Sequence, residues 1–447
     1  MIIEQFEDKP LAHYSYAIIS KNKMAIVDPS RNPKPYYEFA EKHKAQIVAI
    51  FETHPHADFV SSHLQIHKET GATIYVSKHV GANYPHDSFD DGDMLKIGKV
   101  MFSALHTPGH SPDSITIIAK DKNSKHVMFS GDTLFIGDVG RPDLREKAGN
   151  MMAKREALAK SMYHTVKHKF NHLPDHTIIY PAHGAGSLCG KNMSRDSSST
   201  LGRERQENWA FKDLTEDEFV NHILSDQPFI PSYFGFNVDI NKEGASNFET
   251  VFGHIPFKFQ ISAFNETDAV IVDTRSASDF KSNHLKGSIN IVAESVDDKI
   301  ETWLGSIIKP NEAFYLVINS VSNKASILSR IAKIGYEKQI KSVMTLGSAK
   351  FETSDALDFE NFKNHPDHYT IIDIRNKSEV DTGKIFDSAI AIPLNELRDS
   401  IDKIPTGKPI VVHCAGGYRS AAGSSIISTL TEDADVYDLS EQVKNFN

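Results

Sequence analysis

Thr53-His54-Pro55-His56-Ala57-Asp58-Phe59 is the stretch that decides how this chain is read. It begins where the apolar run 47–52 ends, and it sets two histidines and an aspartate at alternate positions. Later apolar runs end in the same way, delivering His110, Asp132 and His183 in chain order. A lone His-x-His is weak, because surface histidines are common; four strand ends that each supply a ligand are a much stronger signal. Imidazole and carboxylate suit zinc or ferrous iron, and residues two apart on a turn can converge on one ion. Phe59 stands where one further ligand could follow Asp58, and a benzyl ring cannot coordinate a metal. The pattern therefore points to one metal ion per chain, not two.

The chain has 447 residues, too many for one core of ordinary size, so several domains are expected. A formal net charge of -10 argues against nucleic acid and anionic membranes as partners. Cys189 and Cys414 are the only cysteines, which excludes a disulfide framework. The first residues lack the basic stretch and apolar core of a secretory signal, and no window offers roughly 18 uninterrupted apolar residues for a membrane span. A cytoplasmic setting is the expectation. Sixteen of the 22 histidines precede residue 190, which places the metal chemistry there.

Strands are expected at 15–20 and 24–27, joined by a hairpin at Lys21-Asn22-Lys23, and at 100–105, 126–130 and 177–180. Helical spacing covers 35–44, 203–210 and 215–224, and the segment from about Asp196 through the Pro-, Gly- and Asn-rich stretch 227–253 reads as an arm of the first domain plus a linker. His63 and His67 lie four apart on an expected helix, where a half-buried polar face is the better reading than a metal pair. Beyond residue 255 the sequence repeats itself with an offset of 100. Val270-Ile271-Val272-Asp273-Thr274-Arg275 matches Thr370-Ile371-Ile372-Asp373-Ile374-Arg375, Asp279 matches Glu379, and Ser288 matches Ser388. A duplicated α/β module accounts for this. The expected domains are 1–255, 256–352 and 353–447.

The segments around His54, His110, Asp132 and His183 resemble the metallo-β-lactamase superfamily over roughly residues 1–245. That resemblance implies an αββα sandwich with its metal at one edge of two sheets. In dinuclear members one metal takes the positions of His54, His56 and His110; the other takes those of Asp58, the next residue and His183, with Asp132 bridging. Phe59 removes a ligand from the second set. A finer resemblance is to the persulfide dioxygenases, carried also by residues 135–144 and 186–191. It implies Fe(II), one per chain, on His54, His110 and Asp132, a facial triad with open positions. His56, Asp58 and His183 then lie behind the ligands and orient them or bind water. Arg141 and Cys189 are candidate substrate-binding residues: Arg141 as an anion partner or a structural ion pair, Cys189 as a sulfur acceptor or a small buried residue.

The second repeat ends in Val411-Val412-His413-Cys414-Ala415-Gly416-Gly417-Tyr418-Arg419-Ser420. A thiol at a strand end, followed by Gly-rich backbone and a helix start, faces N–H groups and a positive helix end that favour thiolate and anions. The motif resembles the active loop of rhodanese sulfurtransferases over residues 355–447. It implies Cys414 as the persulfide-forming nucleophile, with Arg419 closing the loop. Ser440-Glu441-Gln442 replaces the Gly-Gly turn usual there, so altered packing is expected. The first repeat has Asn319 at the cysteine position and Lys324 at that of Arg419, and resembles an inactive rhodanese.

Together these readings give an αββα domain followed by two rhodanese-like α/β domains. The expected activity is oxidation of a low-molecular-weight thiol persulfide by dioxygen to sulfite and thiol, coupled to sulfur transfer that yields thiosulfate. The alternatives are a zinc-dependent thioester or lactone hydrolase fused to a sulfurtransferase, and a persulfide carrier or sensor. A homo-oligomer is compatible with all three.

Overall fold

Every residue of the strand His13–Ser20 is buried, so this strand has no solvent face and must be covered on both sides. The computed structural model, which describes residues 1–121, 126–144, 155–431 and 434–446, shows what covers it. Strands β1 (Ile2–Asp8), β2 (His13–Ser20), β3 (Lys23–Val27), β4 (Gln46–Phe51), β5 (Thr73–Val76) and β6 (Asp87–Ser88) form one sheet in that order. The second sheet runs β12-β11-β10-β9-β8-β7, from β7 (Met94–Ile97), β8 (Val100–His106), β9 (Ile115–Lys120), β10 (His126–Gly131), β11 (Ile178–Pro181) and β12 (Ser199–Thr200). The hairpin expected at residues 21–23 joins β2 to β3, and Lys21 takes the left-handed backbone that such a turn requires.

Three apolar clusters follow from strand alternation. Tyr16, Ile18, Val27, Phe51, Phe102, Ile117 and Phe129 fill the space between the sheets. Ala17, Ile19, Ile26 and Ile50 point the other way, against Tyr36, Phe39 and Ile66 of the helices Lys34–Lys42 and His63–Thr70. Met128, Ile118 and Ile179 back onto Met162 and Phe219 of the helices Arg155–His164 and Glu216–Leu224. The layers are helix, sheet, sheet, helix. The second of these helices starts at a full capping box, Thr215 and Glu218, which satisfies otherwise orphaned N–H groups.

One expected element is corrected. The stretch 227–253 is not all linker: Tyr233–Glu243 is a helix that buries Tyr233, Phe234 and Val238. Its Gly and Asn residues read as breakers, but tertiary burial outweighs that local penalty.

The chain divides into two units, Met1–Thr250 with Ala332–Gly335, and Val251–Ile331 with Tyr336–Asn447. The second unit holds two parallel sheets. One has the order β13-β17-β16-β14-β15, from β13 (Phe257–Ile261), β14 (Val270–Asp273), β15 (Ser288–Asn290), β16 (Phe314–Val317) and β17 (Ile340–Leu346). The other has the order β19-β18-β20-β21, from β18 (Thr370–Asp373), β19 (Ile390–Ala391), β20 (Ile410–His413) and β21 (Val436–Asp438).

The sequence repeat is also a repeat of interactions. Arg275 Nε and Nη2 donate to the Asp273 carboxylate at 3.0 and 2.6 Å, and Nη2 also reaches Asn283 O at 2.7 Å. Arg375 does the same to Asp373 at 3.0 and 2.7 Å, and to Gly383 O at 3.0 Å. Each pair is buried and clamps a strand end to the helix after it. Removing one partner of such a pair leaves a buried charge uncompensated. Asp373→Ala is therefore expected to destabilise the second unit by about 3–5 kcal/mol, measured by urea denaturation; a loss below about 1 kcal/mol would refute the clamp.

Candidate metal centre and cysteine loop

The edge of the two sheets gathers the ligand residues because four strand ends open there. β4 leads into residues 53–59, β8 into 107–110, β10 into Asp132 and β11 into His183. All of the side chains concerned are buried. They fall into two sets of three whose ligand atoms lie within 4.8 Å of one another: His54, His110 and Asp132; and His56, Asp58 and His183. Asp132 Oδ2 is 3.8 Å from His54 Nε2 and 3.5 Å from His110 Nε2, while its Oδ1 is 3.6 Å from His183 Nε2. His183 Nε2 is 3.3 Å from Asp58 Oδ2.

Each histidine is held by its other nitrogen or by a neighbouring group. His110 Nδ1 meets Arg141 O at 2.9 Å, His183 Nδ1 meets Ala12 O at 3.2 Å, and His54 Nδ1 meets Thr53 Oγ1 at 3.1 Å. His56 Nε2 lies 3.4 Å from Asp28 Oδ1. Fixing one ring nitrogen sets the direction of the other, as metal-binding histidines require. Both oxygens of Asp132, Asp58 Oδ1 and His183 Nε2 are buried and make no hydrogen bond within the described residues. Buried polar atoms left in this way are costly unless a cation or water meets them, so the donor set fits a metal ion.

The electrostatics agree. Burial works against a charged His183, yet the carboxylates of Asp132 and Asp58 outweigh it and hold the imidazole well above its ordinary value. Burial likewise opposes charge on His56, and Asp28, Asp132 and Asp58 reverse the balance upward. Asp58 resists burial through His183 and sits below the usual carboxylate range. This cluster draws positive charge, and a bound cation takes over what protons otherwise supply.

Phe59 fills the space beside the second set. Its ring lies 3.9 Å from that of His13 and 4.5 Å from that of His56, so an aromatic stack occupies the ligand position. His13 is missing from the sequence reading: it precedes the ligand motif by 41 positions, and only the pairing of its backbone with His183 brings it in. Asn241 is a second such residue. From the helix Tyr233–Glu243 its Nδ2 donates to His56 O at 2.8 Å and Phe59 O at 2.7 Å, and its Oδ1 accepts from Ser61 N at 2.8 Å. No local pattern marks it. Asp28 does carry a signal, because it also ends a strand.

Arg141 Nε and Nη2 form a fork on Asp143, both at 2.6 Å, and Nη1 reaches Leu188 O. Its guanidinium is thus paired with Asp143, and its carbonyl holds His110. Cys189 lies within 4.8 Å of ligand atoms of Asp132 and His183, so the sulfur is in the cluster. Burial, then Asp58 and Asp132, push its thiol up, which keeps it protonated. His63 faces Glu52 at 3.4 Å and His67 Nδ1 meets Ala72 O, so these two form no pair. His106 Nε2 meets Pro112 O at 3.1 Å.

In the second unit, Cys414 follows β20 and is 1% exposed. Its Sγ accepts from Gly417 N at 3.1 Å, in a loop that runs into the helix Tyr418–Leu430. Gly417 has φ of 102°, and a Cβ there would lie 2.8 Å from Glu441 N. Ser440 beside it adopts φ of 51° and bonds Asp438 through both N and Oγ, which is how this chain replaces the Gly-Gly turn. Arg419 forks onto Glu379 at 2.6 and 2.7 Å and also faces Cys414. The first repeat walls the loop: Trp303 lies under Arg419 at 5.9 Å, and Val292 O accepts from Tyr418 Oη at 3.0 Å. In that repeat Asn319 donates to Glu294 at 3.1 Å.

Comparison with known proteins agrees with this geometry. The metallo-beta-lactamase superfamily matches residues 8–183, and the rhodanese-like domain matches 261–351 and 356–447. The chain belongs to the metallo-beta-lactamase superfamily and carries rhodanese-like domains after it, which makes it a metal-binding enzyme. A crystal structure of a metallo-beta-lactamase from Staphylococcus aureus is similar at 31% identity and a TM-score of 0.68, over 77% of this chain and 99% of that one. A probable hydroxyacylglutathione hydrolase of Schizosaccharomyces pombe is 30% identical over 242 residues, 48% of this chain and 88% of its own. The persulfide dioxygenase ETHE1 of Homo sapiens is 32% identical over 139 residues, 31% of this chain and 49% of its own.

Gly140 packs so closely on the Asp132 carbonyl oxygen that a Cβ there would overlap it, and the same Cβ would crowd His110. Gly140→Ala is expected to shift both and to lower the metal content of the purified chain at least several-fold. Unchanged metal content by elemental analysis would refute the placement.

Proposed function

We propose that this chain is a non-haem iron persulfide dioxygenase joined to a sulfurtransferase, with Fe(II), one per chain, held by His54, His110 and Asp132. The observation that carries the reading is the separation of the ligands into two sets, with Phe59 closing the second. Two histidines and one carboxylate leave several positions open, the arrangement suited to a substrate and dioxygen together. The likeness to persulfide dioxygenase over 139 residues supports it.

Iron there supplies a binding position for sulfur and activation of dioxygen. The protein supplies the rest. Thr53 and Arg141 O orient the two imidazoles, and the His13–Phe59–His56 stack occupies the place of another ligand. His183, whose Nε2 lies 3.3 Å from Asp58 and 3.6 Å from Asp132, is the group of this chain placed to pass a proton to the thiolate that the reaction releases. The overall reaction balances as thiol persulfide plus dioxygen plus water giving thiol, sulfite and two protons. Cys414 then takes the outer sulfur of a second persulfide as its own persulfide and releases the thiol. Sulfite accepts that sulfur, giving thiosulfate and restoring the Cys414 thiol. The setting proposed is the cytoplasm, and neither nucleic acid nor membrane is a proposed partner.

The rival reading is a zinc hydrolase of thioesters or lactones. It is favoured by the convergence of His56, Asp58 and His183 as a second group of possible ligands, and by the likeness to a probable hydroxyacylglutathione hydrolase. Metal analysis with oxygen uptake on glutathione and coenzyme A persulfides separates the two; two zinc ions and no uptake would sink the dioxygenase. His110→Ala is expected to abolish uptake, whereas Cys414→Ser keeps it and loses only thiosulfate formation. The reverse pattern would favour a persulfide carrier or sensor. Phe59→His restores a donor beside the second set and is expected to raise the metal count from one to two per chain. A count that stays at one would show that Phe59 is not what limits it.

A further inference from the structure

Asp28 ends β3, is 2% exposed, and holds left-handed backbone with φ of 49°. A buried non-glycine residue in that region is uncommon and is kept where the surroundings require it. Its Oδ1 accepts from Thr53 N at 2.7 Å and its Oδ2 from Thr53 Oγ1 at 2.8 Å. A threonine hydroxyl has one hydrogen, and an ionised carboxylate can only accept. The hydrogen therefore points to Asp28, and Thr53 Oγ1 meets His54 Nδ1, 3.1 Å away, as an acceptor. His54 then carries its proton on Nδ1, and Nε2 keeps its lone pair on the side of Asp132.

We propose that Asp28 is a positioning residue that selects the His54 tautomer through Thr53, readying Nε2 for the metal. This rests on reading His54, His110 and Asp132 as the metal triad. The same carboxylate lies 3.4 Å from His56 Nε2, so one residue at the end of β3 steers both histidines of the motif. The local connection is short, but it joins positions 25 apart in sequence.

Asp28→Asn preserves shape and inverts the relay. The amide oxygen still accepts from Thr53 N, while Nδ2 donates to Thr53 Oγ1 and turns the hydroxyl hydrogen toward His54 Nδ1. His54 is driven to the Nε2–H tautomer, which cannot ligate from that atom. Fe(II) affinity of the full-length chain, measured anaerobically by competition with a chromophoric chelator, reads this directly. Asp28→Asn is expected to weaken Fe(II) binding about 10–100-fold, the usual cost of losing such a supporting group. Thr53→Val, which removes the relay without inverting it, is expected to cost less, and Thr53→Ser to match the parent.

The deciding measurement is the double variant. With the hydroxyl gone the amide no longer dictates the tautomer, so D28N/T53V is expected to recover to the level of T53V. Recovery is a coupling that a merely structural role does not produce. Additive losses in the double variant, or parent-like affinity in D28N, would overturn the proposal. Where D28N does not fold, equal affinities of T53V and T53S overturn it, and a weaker T53V supports it. A parent chain that binds Fe(II) through His54 but takes up no oxygen with persulfides overturns the proposed activity alone. If His54→Ala binds Fe(II) as the parent does, both readings fall.

Discussion

Asp132 is a buried carboxylate with neither oxygen hydrogen-bonded among the described residues, and it lies between His54, His110 and His183. A charge in that position has to be compensated, and the edge of the sandwich is organised around doing so. Three of the nearby imidazoles are fixed through a second nitrogen, and Asp58 and Asp28 add negative charge that raises His183 and His56. The result is a rigid, cation-seeking cleft. Rigidity comes from the strands beneath it, since each ligand sits within a few residues of a strand end.

Phe59 divides this cleft chemically without dividing it sterically. Aspartate, histidine and cysteine side chains crowd the far side, while an aromatic stack occupies the place of one donor. The ring of Phe59 packs against His13 and His56 at the position that follows Asp58 in the ligand motif. Cys189 shares the cleft, where burial beside carboxylates pushes its thiol up, and Cys414 Sγ meets an N–H donor of its own loop.

The second unit uses duplication asymmetrically. Both copies keep the clamp of Asp273 with Arg275 and Asp373 with Arg375, because each has the same parallel strand end to secure. Only the second copy keeps a thiol. The first, which has Asn319 in the corresponding place, contributes Trp303 and a carbonyl to the Cys414 loop.

Much of this was legible in the residues alone. The ligand set, Phe59, the hairpin at 21–23, the offset of 100 between the repeats and the loop at Cys414 are local patterns: strand periodicity, a turn, a motif at a strand end. Local patterns are readable because they depend on neighbours in sequence. The packing of the helix Tyr233–Glu243 was not legible, nor was Asn241 beneath the ligand loop or His13 against Phe59. Each depends on contacts that the closing sheets make between residues far apart in the chain. The sequence by itself determined which metal-ligating and thiol side chains are present and that an α/β module is repeated. Only the tertiary structure decided which nitrogen of each histidine is held and which faces the metal, because that depends on hydrogen-bond partners that folding brings together.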